Sequence, residues 1–251
     1  MKKLNKIANS WWFDLVGVVV IVLSIAAASY VGSNGHDIYN RFITPLSASW
    51  LFKGVSGSII TKWPLIGIFA LLSAVASVMS TRLVAKKNNL GNTIGWINIF
   101  FSGVLDFLFG NVGAMFTYPL SWVLNYIPSR TWKKYDKDEV TLVSVQKMII
   151  FLITSTALSF GLNALAYVWL GQGLNAIFWF TSISLAFSFV ADMLNVFKSS
   201  QQWIFWALYN ISQLVKSLFQ FNFANVGKYI FYIINSVIVG ITWFAKKEES
   251  K

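Results

Sequence analysis

With no cysteine and one histidine, His36, this chain must do any chemistry with amides, indoles, hydroxyls and a few acids. The densest concentration of such groups is the stretch 201–220. Read at helical spacing, Trp203, Trp206, Asn210, Gln213, Ser217 and Gln220 follow one another at steps of three and four. One face therefore carries two indoles, three amides and a hydroxyl, with Ile204, Phe205, Leu208, Ile211, Leu214 and Val215 around the rest. In a soluble helix this face would meet water. Here apolar stretches flank it on both sides, so the expectation is a polar stripe inside a bilayer that faces a cavity or another helix. That is the character of a helix lining a substrate path.

The elements that must position this stripe are long apolar spans. Of the 251 residues, 56% are hydrophobic and 12% charged, and several apolar runs reach the roughly 17–25 residues needed to cross a bilayer. The runs are continuous rather than alternating, which points to an all-α, polytopic membrane protein and not a barrel. Spans are expected at 11–30, 63–84, 93–109, 112–130, 147–171, 175–197, 202–220 and 223–245, eight in all. Trp11–Tyr30 follows Lys2, Lys3 and Lys6 and contains Ala26-Ala27-Ala28, features that also fit a signal peptide. Its length and the Trp11-Trp12 anchor favour a retained span. Residues 1–62 thus hold an N-terminal membrane helix and an outer segment, within which Phe42–Val55 fits a short amphipathic or re-entrant piece.

The net charge of +11 raises the possibility of nucleic acid, but the basic residues sit in short loops beside the spans. There they act as topology signals and headgroup contacts, so lipid and not nucleic acid is the expected partner. With the N-terminus inside, inner segments hold fifteen lysines and arginines, against Arg41, Lys53 and Lys62 outside. Both termini are therefore expected in the cytoplasm of a cell-membrane protein.

The chain is also self-similar. A displacement of 112 places Lys86 on Lys198 and Asn98-Ile99 on Asn210-Ile211. After a two-residue slip, 114 places Asn111-Val112-Gly113 on Asn225-Val226-Gly227 and Tyr118 on Tyr232. Residues 63–132 and 175–245 read as two three-helix repeats. Between them, 133–171 holds a charged loop and a single linker span, which makes the copies parallel, and 246–251 is a tail. Parallel repeats of this kind hold substrate near mid-membrane, between the halves.

Gly95-Trp96-Ile97-Asn98 in the first repeat, Trp203-x-x-Trp206-x-x-x-Asn210 in the second, and Trp132 and Trp243 closing each third helix resemble the PnuC nicotinamide riboside transporters over about residues 63–245. The resemblance implies a three-plus-one-plus-three fold of the SWEET type, a homo-oligomer, and uptake of an unphosphorylated vitamin nucleoside trapped afterwards by phosphorylation. Relatives of similar pattern take thiamine, riboflavin or deoxynucleosides. It carries the site role onto Trp206, Asn210 and Asn98. Nicotinamide riboside offers a flat cationic ring, a carboxamide and ribose hydroxyls, and an indole against that cation contributes about 2 kcal/mol when desolvated. Trp203 and Trp206 suit such a clamp, Gln213 lies one turn beyond Asn210, and Trp96 sits on a different side of its helix from Asn98. Against these roles stand plainer ones: Trp203 as a belt anchor, and Asn98 and Asn210 as interhelical glue of about 0.6 kcal/mol each.

Three acids fall within the spans. Asp14 is expected to be solvated at the inner surface, and Asp192 lies near the inner end of its helix with Asn195. Asp106 and Lys216 share a depth near the outer side, where either a mutual ion pair or simple snorkelling of Lys216 would lower the cost of burial. No acid or histidine relay runs through the spans, and no phosphate-binding G-x-x-x-x-G-K-[ST] loop, cofactor motif or metal cluster is present, so a facilitator without ion coupling is expected rather than a pump or enzyme.

Overall fold

The structure, a computed structural model, describes residues 2–33, 64–108, 111–136, 139–219 and 223–249. His36, the Phe42–Val55 stretch and Gln220 lie outside the described residues. A short helix α1 (Lys2–Ala8) precedes α2 (Trp11–Ser33), α3 (Pro64–Ala85), α4 (Leu90–Leu108), α5 (Ala114–Thr131), α6 (Val145–Trp169), α7 (Ala176–Val196), α8 (Gln202–Phe219) and α9 (Phe223–Glu249). The shortest of these eight has 18 residues, a rise of about 27 Å at 1.5 Å per residue. Helix α4 opens three residues before the expected span because the Asn88 side chain accepts the Leu90 N–H at 3.0 Å and caps the helix early.

By length and composition alone, α6, α7 and the 225–245 part of α9 are apolar enough to cross a membrane. The orientation of side chains makes the same case for the more polar helices. In α4 and α8, Asn98, Asn210, Gln213 and Lys216 are buried while Ile97, Phe100, Phe101, Ile204, Ile211 and Leu218 are exposed. Polar inside and apolar outside is the reverse of a soluble bundle, and it is what a hydrocarbon solvent demands.

In the first repeat α4 packs on both α3 and α5, and in the second α8 packs on both α7 and α9. The repeats meet along two seams: α5 packs against α7, and α9 reaches α3 through side chains, Tyr232 to Ser77, Asn235 to Arg82 and Trp243 to Ala85 O. Helix α6 touches α5 and α7 along the first seam, and α2 touches α9 and α3 along the second. The linker helix and the N-terminal helix therefore occupy equivalent places. Matching glycines make this concrete. A Cβ on Gly113 would lie 1.6 Å from Asn163 Oδ1 of α6, and one on Gly227, 114 residues on, would lie 1.7 Å from Ser24 Oγ of α2. Each third helix needs a residue without a side chain where its strap helix crosses.

The turns α3–α4 and α7–α8 repeat in detail. Lys87 and Lys198 both have positive φ, 60° and 50°. Asn88 N–H bonds Leu83 O and Lys87 N–H bonds Val84 O in the first turn; Ser199 N–H bonds Leu194 O and Lys198 N–H bonds Asn195 O in the second. This is a helix-terminating pattern that usually takes glycine at the left-handed position. Geometry thus pairs Lys87, not Lys86, with Lys198, and the one-residue slip is absorbed before α8. At each of these positions, where glycine would be easier, the lysine's ammonium lies over an indole, Lys87 over Trp243 at 5.6 Å and Lys198 over Trp132 at 5.1 Å, a contact that offsets the backbone cost.

Candidate functional site

The contacts within and between the repeats fall at three levels, called inner, middle and outer from the end that holds Trp132 and Trp243. At the inner level the two terminal tryptophans cross the seams. Trp132 Nε1 donates to Asn195 O of α7 at 2.6 Å, and Trp243 Nε1 donates to Ala85 O of α3 at 3.0 Å. Their rings lie 6.3 Å apart, and Trp203 meets Trp243 edge-on at 5.6 Å. With Val84, Val140 and Val239 they form a buried apolar cluster against which Trp206 is packed. Trp203 is 2% exposed, which removes the belt-anchor expectation; seven residues before Asn210, it lies about 10 Å along the helix from the amides. The structure therefore groups Trp203 with the inner cluster and not with Asn210.

Polar contacts across the two seams differ in sign. Asn125 Nδ2 donates to Asp192 Oδ2 at 3.0 Å on the α5–α7 seam, and beside it Asn195 Nδ2 of α7 donates to Asn92 Oδ1 of α4 at 2.9 Å. On the α9–α3 seam, Arg82 donates to Asn235 Oδ1 at 2.6 Å and to Asp14 Oδ1 at 2.6 Å, and it also caps Ala8 O. Asp14 pairs with Lys86 as well. The expectation of a merely solvated Asp14 is thus corrected: Arg82 of α3 and Lys86 just past its end hold it, and Arg82 is buried rather than a free topology signal.

At the middle level lie Asn98, Asn210 and Gln213, all buried. Asn210 Nδ2 donates to Ser236 Oγ of α9 at 3.3 Å. Asn98 Nδ2 donates to Ser102 Oγ at 3.2 Å, and Ser102 meets Ser73 of α3 at 3.0 Å. Each asparagine is bonded inside its own repeat. Gln213 Oε1 is buried without a protein partner. Trp206 packs edge-on to Tyr209 at 5.5 Å, which joins it to this level. Trp96 belongs elsewhere: its ring sits between Trp122 and Tyr126 of α5 at 5.3 and 5.1 Å, with Nε1 buried and unpartnered.

At the outer level Lys216 Nζ lies 3.1 Å from Asp106 Oδ1 and 3.3 Å from Oδ2, so the pair spans from α8 to α4. Asn111 Nδ2 at 2.6 Å and Tyr118 OH at 3.2 Å also donate to Asp106 Oδ2. Lys216 is 3% exposed and does not snorkel. Sequence spacing missed Tyr118, Tyr209 and Ser236, whose only signals were a repeat match for Tyr118 and adjacency to Asn210 for Tyr209.

Two parallel repeats with buried amides between them, polar inward and apolar outward, define a membrane transporter of the parallel-repeat class. The chain belongs to the nicotinamide mononucleotide transporter family, whose model matches residues 65–245. A solved structure described as the vitamin B3 transporter PnuC is similar in fold, with a TM-score of 0.61 over 96% of this chain and 98% of that one at 15% sequence identity. No curated protein matches the sequence. The protein is therefore a transporter and not an enzyme.

Proposed function

We propose that this chain takes up nicotinamide riboside across the cell membrane by facilitated diffusion, alternating access between the two sides. The observation that carries this reading is the neutral middle level: Asn98, Asn210 and Gln213 with Trp206 and Tyr209, where Gln213 Oε1 is a buried acceptor without a protein partner. A buried unpaired acceptor costs about 1–3 kcal/mol, and a substrate carboxamide N–H would recover it. The family's description names the mononucleotide, whose phosphate would call for arginine or lysine forks. The residues of this level, Asn98, Asn210, Gln213, Trp206 and Tyr209, include no such group, which favours the unphosphorylated riboside.

The same reading has both termini in the cytoplasm, a homo-oligomeric assembly with lipid around it, and phosphorylation inside the cell drawing net uptake. The family resemblance and the inner placement of the basic residues support these points. Uptake of labelled nicotinamide riboside into proteoliposomes, with nicotinamide mononucleotide, thiamine, riboflavin and deoxynucleosides as competitors, tests it. Riboside uptake blocked by excess unlabelled riboside and indifferent to the mononucleotide is the expected result. Stronger competition by any of the others would reassign the substrate.

A further inference from the structure

We propose that the Asp106–Lys216 ion pair is the outer gate of the transport path, closed when paired and opened by withdrawal of Lys216. Asp106 is two residues from the outer end of α4, and Lys216 is three from the outer end of α8. These are the middle helices of the two repeats, and the seams that join the repeats run through their neighbours, α5 with α7 by packing and α3 with α9 by side-chain bonds. A path between the repeats that opens outward must part α4 from α8 at this depth. The bond between Lys216 Nζ and Asp106, at 3.1 Å, lies across that opening.

The partners of Asp106 determine which half moves. Asn111 and Tyr118 hold its carboxylate from within the first repeat, whereas Lys216 reaches it from the second. When the pair parts, the carboxylate keeps two donors and stays with α4 and α5. Lys216, 3% exposed in the closed form, requires water as a replacement. An unpaired buried charge is costly and a hydrated one is not. The pair thus has two favourable arrangements, paired and dry or parted and wet, and the dry-parted state between them is penalised. A sharp boundary between closed and open is what alternating access requires.

The absence of cysteine from the chain provides a clean background for the test. A single reporter, Gln213→Cys, lies one turn inward of Lys216 on α8. Its labelling by a membrane-impermeant thiol reagent, applied from the outer side and separately to inverted vesicles, reads access without reference to any substrate. Adding Lys216→Met is expected to raise outer labelling about ten-fold with inner labelling unchanged, and Lys216→Arg to restore the slow rate, as a shift of a two-state equilibrium requires. Equal outer rates with and without Lys216→Met, or a rise on both sides, would overturn the proposal. As a second arm, Asp106→Cys with Lys216→Cys is bridged by a short bis-thiosulfonate. Riboside uptake should stop on bridging and return on reduction, and uptake that continues in bridged protein counts against the gate. If riboside is not the substrate, the second arm shows no uptake in any state, bridged or reduced, while the labelling arm still decides.

Discussion

The bond from Asn210 to Ser236 is long for a buried amide donor, 3.3 Å where about 2.9–3.0 Å is usual, and so is the 3.2 Å bond of Asn98. Weak internal bonds are easily exchanged for a ligand's, whereas Asn195 Nδ2, bonded to Asn92 at 2.9 Å between the repeats, is the tighter donor. Asn210→Ala and Trp206→Ala are each expected to weaken substrate affinity about ten-fold, the loss of one hydrogen bond or ring contact, while the purified proteins stay monodisperse. Wild-type uptake kinetics in both variants would place the site elsewhere. At this scale the repeat match indicated Asn98 and Asn210 as equivalent residues, and both are buried at matching positions of α4 and α8. The sequence was not legible at Trp203, because helical spacing puts residues on a face without saying how far along the axis that face changes from path to core.

At the level of elements, the repeat and all eight spans could be read from apolar run lengths and a few displaced identities. What could not be read was the equivalence of α2 and α6, since it rests on which glycine meets which strap: Gly227 on Ser24 and Gly113 on Asn163. Nor was it evident that Arg82, counted as an inner-side charge, is 1% exposed and ties α1, α2 and α9 to α3. Net charge near a span end looks the same whether the side chain turns to water or into the seam. Arg82→Met should destabilise the protein by about 1–3 kcal/mol, because Asn235 Oδ1 and Ala8 O lose their donor while Asp14 keeps Lys86. Thermal unfolding in detergent measures this. Asp14→Asn, which leaves the Arg82 guanidinium buried with neutral acceptors only, should cost at least as much. A smaller loss from Asp14→Asn would show that Asn235 and Ala8 O suffice to hold Arg82.

For the whole molecule, the two seams and the two terminal tryptophans impose a near-symmetric frame on unlike contents: an acid, Asp192, faces one seam, and a base, Arg82, faces the other. The frame also relates sidedness to sequence. The turns holding Lys87 and Lys198 lie at the same end as the Trp132 and Trp243 contacts, together with Arg130, Lys133 and Lys134. The opposite end, where α6 passes to α7 through Gly171, Gln172 and Gly173, carries no lysine or arginine in that loop. Basic loops are retained on the cytoplasmic side during insertion, so the tryptophan end should face the cytoplasm. In the cysteine-free background, Lys134→Cys should resist an impermeant thiol reagent in intact cells and react in inverted vesicles. Gly173→Cys should do the reverse, since a Cβ there meets nothing within 4 Å and the side chain is open to solvent. Labelling of both positions from one side would contradict an odd number of crossings between them. Exchange of the two results would invert the molecule, placing the Asp106–Lys216 pair on the cytoplasmic side and the tryptophan cluster toward the outside.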